Sequence, residues 1–168
     1  MKIERTMTYD IPPDEAVAMS CDPAFQERKC QDAGALSWSV RVTPLDDGST
    51  EISTRRKLPT VGFPSLLRKL LPEGMTSTEL ITWAPAEDSV GARSATLAVD
   101  FHGAPTSLKG RIDVVPTATG GSSIRITADF KASVPLVGGK VEKLASPIIV
   151  DIIDSEQRTG AAWSAEAA

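Results

Sequence analysis

Few side chains in this sequence have the type and spacing that covalent chemistry needs. There is one histidine, His102, in "DFHGAPT", where a strand-like run meets a Gly-Pro turn. Cys21 and Cys30 are the two cysteines. One histidine and two separated thiols do not make a zinc site. There is no G-x-S-x-G elbow and no H-E-x-x-H pair. "GGSS" at 120–123 lacks the lysine of a phosphate loop and reads as a hairpin turn. No catalytic residue, cofactor or metal is therefore assigned. Two charges have informative positions instead. Arg5 alternates with Ile3, Met7 and Tyr9, and Glu79 with Met75, Ile81 and Trp83. Period-two spacing puts each on an apolar strand face. A charge buried there needs a partner or a polar ligand group. Either the two orient a head group or carbonyl in a mostly apolar site, or they pair with neighbouring side chains.

The elements that would position them follow from periodicity. "MKIERTMTY" alternates and predicts a strand. The next stretch, to Gly34, predicts two short helices, each opened by proline and acid, with Asp22 as N-cap before Pro23. "ALSWSVRVTPL" and "TEISTRRKL" predict a hairpin around "DDGS". Four further strands are expected in "MTSTELITWAP", "RSATLAVDF", "SLKGRIDVVP" and "SSIRITADFKA". Their short connections suit antiparallel neighbours. Between the third and fourth strands, Leu66, Leu67, Leu70 and Leu71 have helical spacing, bounded by Pro64 and Pro72. The last element runs from about Leu136 to Trp163, with Val137, Val141, Leu144, Ile148 and Ile152 on one helical face. Such a helix is about 40 Å long and must cross the whole sheet. Gly138, Gly139 and Pro147 are poor helix formers within it. Either the glycines allow close backbone approach and Pro147 follows a curved sheet, or the glycines form a turn and Pro147 starts a separate helix.

Length and charge set the outer bounds. The chain has 168 residues, 41% hydrophobic and 24% charged, with a formal net charge of −4. That fits one soluble domain spanning residues 1–168, with a core that needs no metal or disulfide. The acidic balance gives no footprint for nucleic acid. The charged, alternating amino terminus has no apolar run of signal-peptide length, so a cytoplasmic protein with reduced thiols is expected. No stretch has the length of a membrane span. Arg55, Arg56 and Lys57, with Arg68 and Lys69, form a basic run beside the Leu-rich segment. It either meets an anionic membrane surface transiently or is a solvated strand end.

The stretches "YDIPPDEAVAMSCDPAFQERKC", "LPEGMTSTELITW", "GAPTSLKGRIDVVP" and "VPLVGGKVEKLA" carry a resemblance across essentially the whole chain. The sequence resembles the START-like (helix-grip, Bet v 1-like, SRPBCC) superfamily of lipid-transfer and polyketide-cyclase-type domains. Within it, it is similar to a bacterial family of uncharacterised proteins. The resemblance implies an α+β helix-grip fold: a curved antiparallel sheet of about seven strands around a long C-terminal helix, with a cavity between them. Such folds host carriers, enzymes and regulators alike.

On that fold, the expected ligand-facing residues of the strands are Arg5, Met7, Tyr9, Trp38, Glu79, Ile81 and Trp83. Those of the last helix are Gly138, Val141, Leu144 and Ile148. Leu144 and Ile148 are expected to be buried. The leading reading is non-enzymatic binding of an apolar or amphipathic small molecule. A cyclase- or hydratase-type enzyme using the same cavity is the first alternative, since shape and one or two polar groups suffice for such chemistry. An interaction protein with a filled cavity is the second. Segment Val61–Leu71 interrupts the meander and is expected to be either a lid or a static cover.

Overall fold

Alternation of apolar and polar residues sets the sheet. Along β4 (Met75–Trp83) every second side chain, from Met75 to Trp83, is buried. The computed structural model describes residues 1–71, 73–86 and 91–167. The elements are β1 (Lys2–Tyr9), α1 (Pro13–Ser20), α2 (Pro23–Asp32), β2 (Ser37–Pro44) and β3 (Thr50–Leu58), then α3 (Ser65–Leu70) and β4. They continue with β5 (Arg93–Phe101), β6 (Thr106–Pro116), β7 (Ser122–Ala132) and α4 (Gly138–Ala167). The seven strands form one antiparallel sheet in the order β1-β7-β6-β5-β4-β3-β2. The fold is the expected helix-grip arrangement of a sheet and a long closing helix. Pro72, read as one boundary of the α3 segment, lies outside the described residues.

The register fixes which side chains share the face under α4. Arg56 pairs with Ser77, and Ser77 with Phe101. Thr54 pairs with Glu79, Glu79 with Val99, and Val99 with Leu108. Ile126 pairs with Arg5, and Ile124 with Met7. Arg5 and Glu79 therefore lie on the same face, four strands apart.

The α4 helix is continuous over 30 residues, with Pro147 inside it and exposed. Pro147 thus starts no separate helix. Proline is least disruptive where its ring, and the carbonyl it frees, face water. Gly138 has the expected role: a Cβ there would lie 2.4 Å from the Ala132 carbonyl oxygen. Only glycine lets the helix start this close to the end of β7. Gly139 faces open space, so no close approach requires a glycine there.

The buried stripe of α4 differs from the expected one. Val141, Ile149 and Ile153 are buried, with Ala145 packed against the same core. Leu144 and Ile148 are only half-buried. Ala145 carries too little apolar weight to mark a face in the sequence, yet it is the residue of that turn that meets the sheet. The face is centred one residue later, and Leu144 falls at its margin.

Candidate functional site

The site is built around four charged side chains contributed by α2, β3, β4 and α4. Asp22 caps α2 by accepting from the Ala24 backbone N–H at 2.8 Å, with Pro23 in the first turn. The helix then buries Phe25, Gln26, Lys29 and Cys30 at i, i+4 spacing. Lys29 Nζ lies 3.1 Å from Glu156 Oε2 and 3.5 Å from Glu79 Oε1. Arg56 Nη2 donates to the other Glu156 oxygen at 3.1 Å. Lys29 also donates to Gln26 Oε1 at 3.2 Å, and Gln26 Nε2 donates to the Ser20 carbonyl.

This tetrad is buried and charge-balanced. Burial by itself pulls the Lys29 ammonium down, but Glu156 and Glu79 outweigh it and leave the pKa raised. Burial pushes the Glu79 carboxyl up, and Lys29 and Arg56 more than reverse that, so it sits below the usual carboxylate range. Arg56 follows the pattern of Lys29. Tyr9, buried nearby, is pushed up to about 12 by desolvation and then by Glu156.

Arg56 is not fully satisfied by the tetrad. Its Nε and Nη1 are buried with no hydrogen-bond partner among the described residues, and neither has Thr54 Oγ1. Buried donors without partners are rare in folded proteins. Arg56 lines a cavity of about 70 Å³ whose polar wall adds Ser77, Glu79 and Glu156. The opposite wall is apolar, with Leu97, Val99, Phe101, Leu108, Ile112 and Ile126 from β5–β7. A second cavity of about 70 Å³ sits beyond Ile81, Ile112 and Ile126, and a third of about 40 Å³ under α3. The central cavity shares lining residues with each of the other two, so the three form a chain between sheet and α4.

The expected site residues distribute unevenly along this chain. Glu79 and Ile81 line the central cavity; Met7, Tyr9, Ile81 and Trp83 line the second; Val141 and Ile148 line the third. Arg5 lies half-exposed and pairs with Asp154 of α4. Gly138 abuts β7. Leu144 lines none of the three cavities. Trp38 is exposed on the edge strand β2, in a surface groove with Arg55, Arg56 and Lys57. β2 lies beyond the reach of α4; α2 packs against it and Val42 joins the core, but Trp38 at its start is left exposed. The basic run 55–57 needs correction too: Arg56 points inward and is buried, between Arg55, which is exposed, and Lys57, which is half-exposed. The sequence pattern does not single out Lys29, Arg56 and Glu156 as site residues. Parity with Ile52 and Leu58 places Arg56 inside, but Lys29 lies on a helix of low apolar contrast that hides its inner face.

The family model described as "Protein of unknown function (DUF2505)" matches residues 4–163. The chain belongs to this family. A relative, the uncharacterized protein Rv0481c of Mycobacterium tuberculosis, is 27% identical over 119 residues, covering 70% of this chain and 67% of the relative. Among solved structures, TTHA0849 from Thermus thermophilus is similar with a TM-score of 0.62 at 12% identity, covering 98% of this chain and 99% of that one. The Zhui aromatase/cyclase of a Streptomyces species is similar at a TM-score of 0.58 and 10% identity, covering 95% and 93%. A START superfamily protein from Mycobacterium smegmatis is similar at 0.51 and 15%, covering 94% and 96%. At these identities the likeness is one of fold: this chain has a START-like fold. The fold neighbours include a cyclase, so the fold alone leaves binding and turnover both open. No helix among the described residues is long and apolar enough to cross a membrane.

Proposed function

We propose that this chain binds an amphipathic small molecule between the sheet and α4, without turning it over. The observation that carries the reading is Arg56: two unpartnered, buried N–H donors at a cavity with one polar and one apolar wall. The tetrad holds two positive and two negative groups, so a further full charge is not needed for balance. A neutral acceptor such as a carbonyl, ester or hydroxyl oxygen suits the Arg56 donors, with the apolar body along β5–β7.

The protonation states favour binding over acid–base catalysis. Glu79 is held ionised, Lys29 is held charged, and Tyr9 stays a phenol up to about 12. A general acid or base works best with a pKa near the working pH, and none of these three is there.

The cavities are small beside the roughly 300 Å³ or more of a drug-sized pocket. Binding therefore requires α3 to lift and the half-buried Ile148 and Ile152 to repack, which makes Val61–Leu71 a lid in this reading. Native mass spectrometry of the protein purified under non-denaturing conditions tests it, with a fluorescent fatty-acid methyl ester as titrating probe. One-to-one binding is expected, and Val99→Phe, which fills the central cavity beside Glu79, should abolish it. Absence of any bound or titratable ligand, or binding unchanged in Val99→Phe, would refute the reading and favour a filled-core interaction protein.

A further inference from the structure

We propose that the end of the molecule around α3 is a docking surface for an anionic lipid bilayer. The antiparallel register gathers at one end the start of β2, the β3–α3–β4 connection, the β5–β6 turn and the β7–α4 loop. The three most exposed large apolar side chains among the described residues all stand there: Leu36, Val61 and Leu136. Val61 is 91% exposed and Leu136 106%. Leu45 and Val115, at the opposite end, are far less exposed.

Leu136 is the informative residue. Its φ is +66°, and among the described residues every other positive φ belongs to a glycine. Leucine disfavours this conformation, while glycine or asparagine takes it readily. Its side chain contacts nothing that would offset the strain, being fully exposed. Neither backbone nor packing accounts for a leucine here, and a local rule broken without compensation points to function. Val61 stands beside Gly62 in a turn, likewise projecting from the surface. The two tips flank one cavity mouth: Phe63 and Leu67 from the Val61 side face Val141 and Ala145 of α4.

The charge around these tips selects the occupant. Segments 57–74, 100–106 and 131–143 carry six Lys or Arg: Lys57, Arg68, Lys69, Lys131, Lys140 and Lys143. They carry three acids, Glu73, Asp100 and Glu142, and Glu142 is engaged by the amino terminus and the Ala132 N–H. This end is therefore cationic in a chain whose net charge is −4. Separate apolar tips ringed by long basic side chains match a bilayer interface, where tips enter the acyl boundary and cations meet anionic head groups. The inference needs no cargo, so it stands or falls apart from the ligand reading.

Co-sedimentation with phosphatidylcholine vesicles, with and without phosphatidylglycerol, tests it. The full chain is expected to bind only the phosphatidylglycerol vesicles, less as salt rises. Leu136→Asp and Val61→Asp should each weaken binding about tenfold. Lys140→Glu and Lys143→Glu should each weaken it about fivefold or more. Leu136→Asn accepts the left-handed backbone and keeps the fold while removing the tip, so it separates docking from folding. Leu45→Asp and Val115→Asp should change nothing. Failure of the intact chain to bind phosphatidylglycerol vesicles at low salt would overturn the proposal and assign the tips to a protein partner. Equal losses in Leu45→Asp and Leu136→Asp would overturn it too.

Discussion

Replacing Glu156 with glutamine tests whether the tetrad is a buried network or a water-filled cleft. Glu156 joins Lys29 and Arg56, each at 3.1 Å, and the Lys29 and Arg56 side chains are only 6% exposed. Glutamine keeps the shape but leaves two cations facing Glu79 alone. Removing one partner from a buried pair costs about 3–5 kcal/mol, because the remaining charge stays desolvated. A domain has only about 5–15 kcal/mol in hand, so Glu156→Gln should remove a large part of it. For a chain of this size the melting temperature should fall by roughly 10 °C. Urea titration followed by tryptophan fluorescence measures it directly, since Trp163 of α4 packs edge-on against Phe25 of α2 at 5.6 Å. Glu166→Gln, at the exposed pair with Arg28, is the control and should change nothing measurable. The pH dependence gives an independent arm. Glu79 has a folded pKa held below 4.5, its ordinary value. A depressed carboxyl stabilises above its unfolded value, and that contribution is lost as pH falls through the folded one. Stability should therefore decline below about pH 4.5, and Glu79→Gln should flatten that limb. A loss under about 1 kcal/mol in Glu156→Gln would mean that water screens the tetrad and that it is a wet cleft, not a buried network.

Four other measurements have expected outcomes. Ile149→Ala, in the buried stripe of α4, should cost about 2–5 kcal/mol in the same urea titration, and Leu144→Ala under half as much. Gly160→Ala places a Cβ 2.4 Å from Tyr9 Oη and should cost about 1–3 kcal/mol, with Tyr9→Phe recovering part of it. Leu136→Gly should raise stability by about 1 kcal/mol, since it relieves a left-handed leucine that buries nothing. Tyr9 is the only tyrosine, so an ultraviolet titration reads it alone, and tyrosinate should form only near 12 rather than 10.

The sheet was legible because strand parity is a strict code. In "MTSTELITW" the alternation places Glu79 on the same face as Ile81 and Trp83, and the register puts it under α4. The same code locates Arg56 between Ile52, Thr54 and Leu58, but three consecutive basic residues invite reading as a surface run. Trp38 shows the converse limit. It sits directly opposite Arg56 in the register, on the helix-facing side of the sheet, yet stays exposed. Parity tells a residue's face, not whether another layer covers it. Helix faces are less constrained, since four half-buried positions can flank one stripe. Apolar weight pointed to Leu144, whereas close approach to the sheet selected the smaller Ala145. The meeting of Glu79 with Lys29 was not legible at all. Lys29 comes from fifty residues upstream and Glu156, which shares that lysine, from the last helix, and no local pattern encodes that meeting.

The distribution of polar contacts along α4 says which gap can open. Towards β1 and β7 the helix is pinned along its length: Glu142 accepts from the Ala132 N–H, Asp154 pairs with Arg5, and Gly160 seats on Tyr9. Towards α2 it is pinned by Glu156 with Lys29 and by Thr159, which donates to Asp32. Towards β3 the polar contact is Glu156 with Arg56, in the C-terminal half. Among the described residues, the N-terminal half of α4 meets α3 only through apolar contacts at the cavity under Phe63, Leu67, Leu70 and Leu71. Apolar contacts carry no directional bonds, so separating them leaves no buried donor or acceptor unpaired, whereas opening any other side does. The least costly opening is therefore between α3 and α4. That gap lies at the end where Val61 and Leu136 project, and a bilayer there would receive the apolar surface that the opening exposes. On the two proposals above, the same step would widen the path to Arg56 while leaving the tetrad intact, and would link docking to ligand entry through α3.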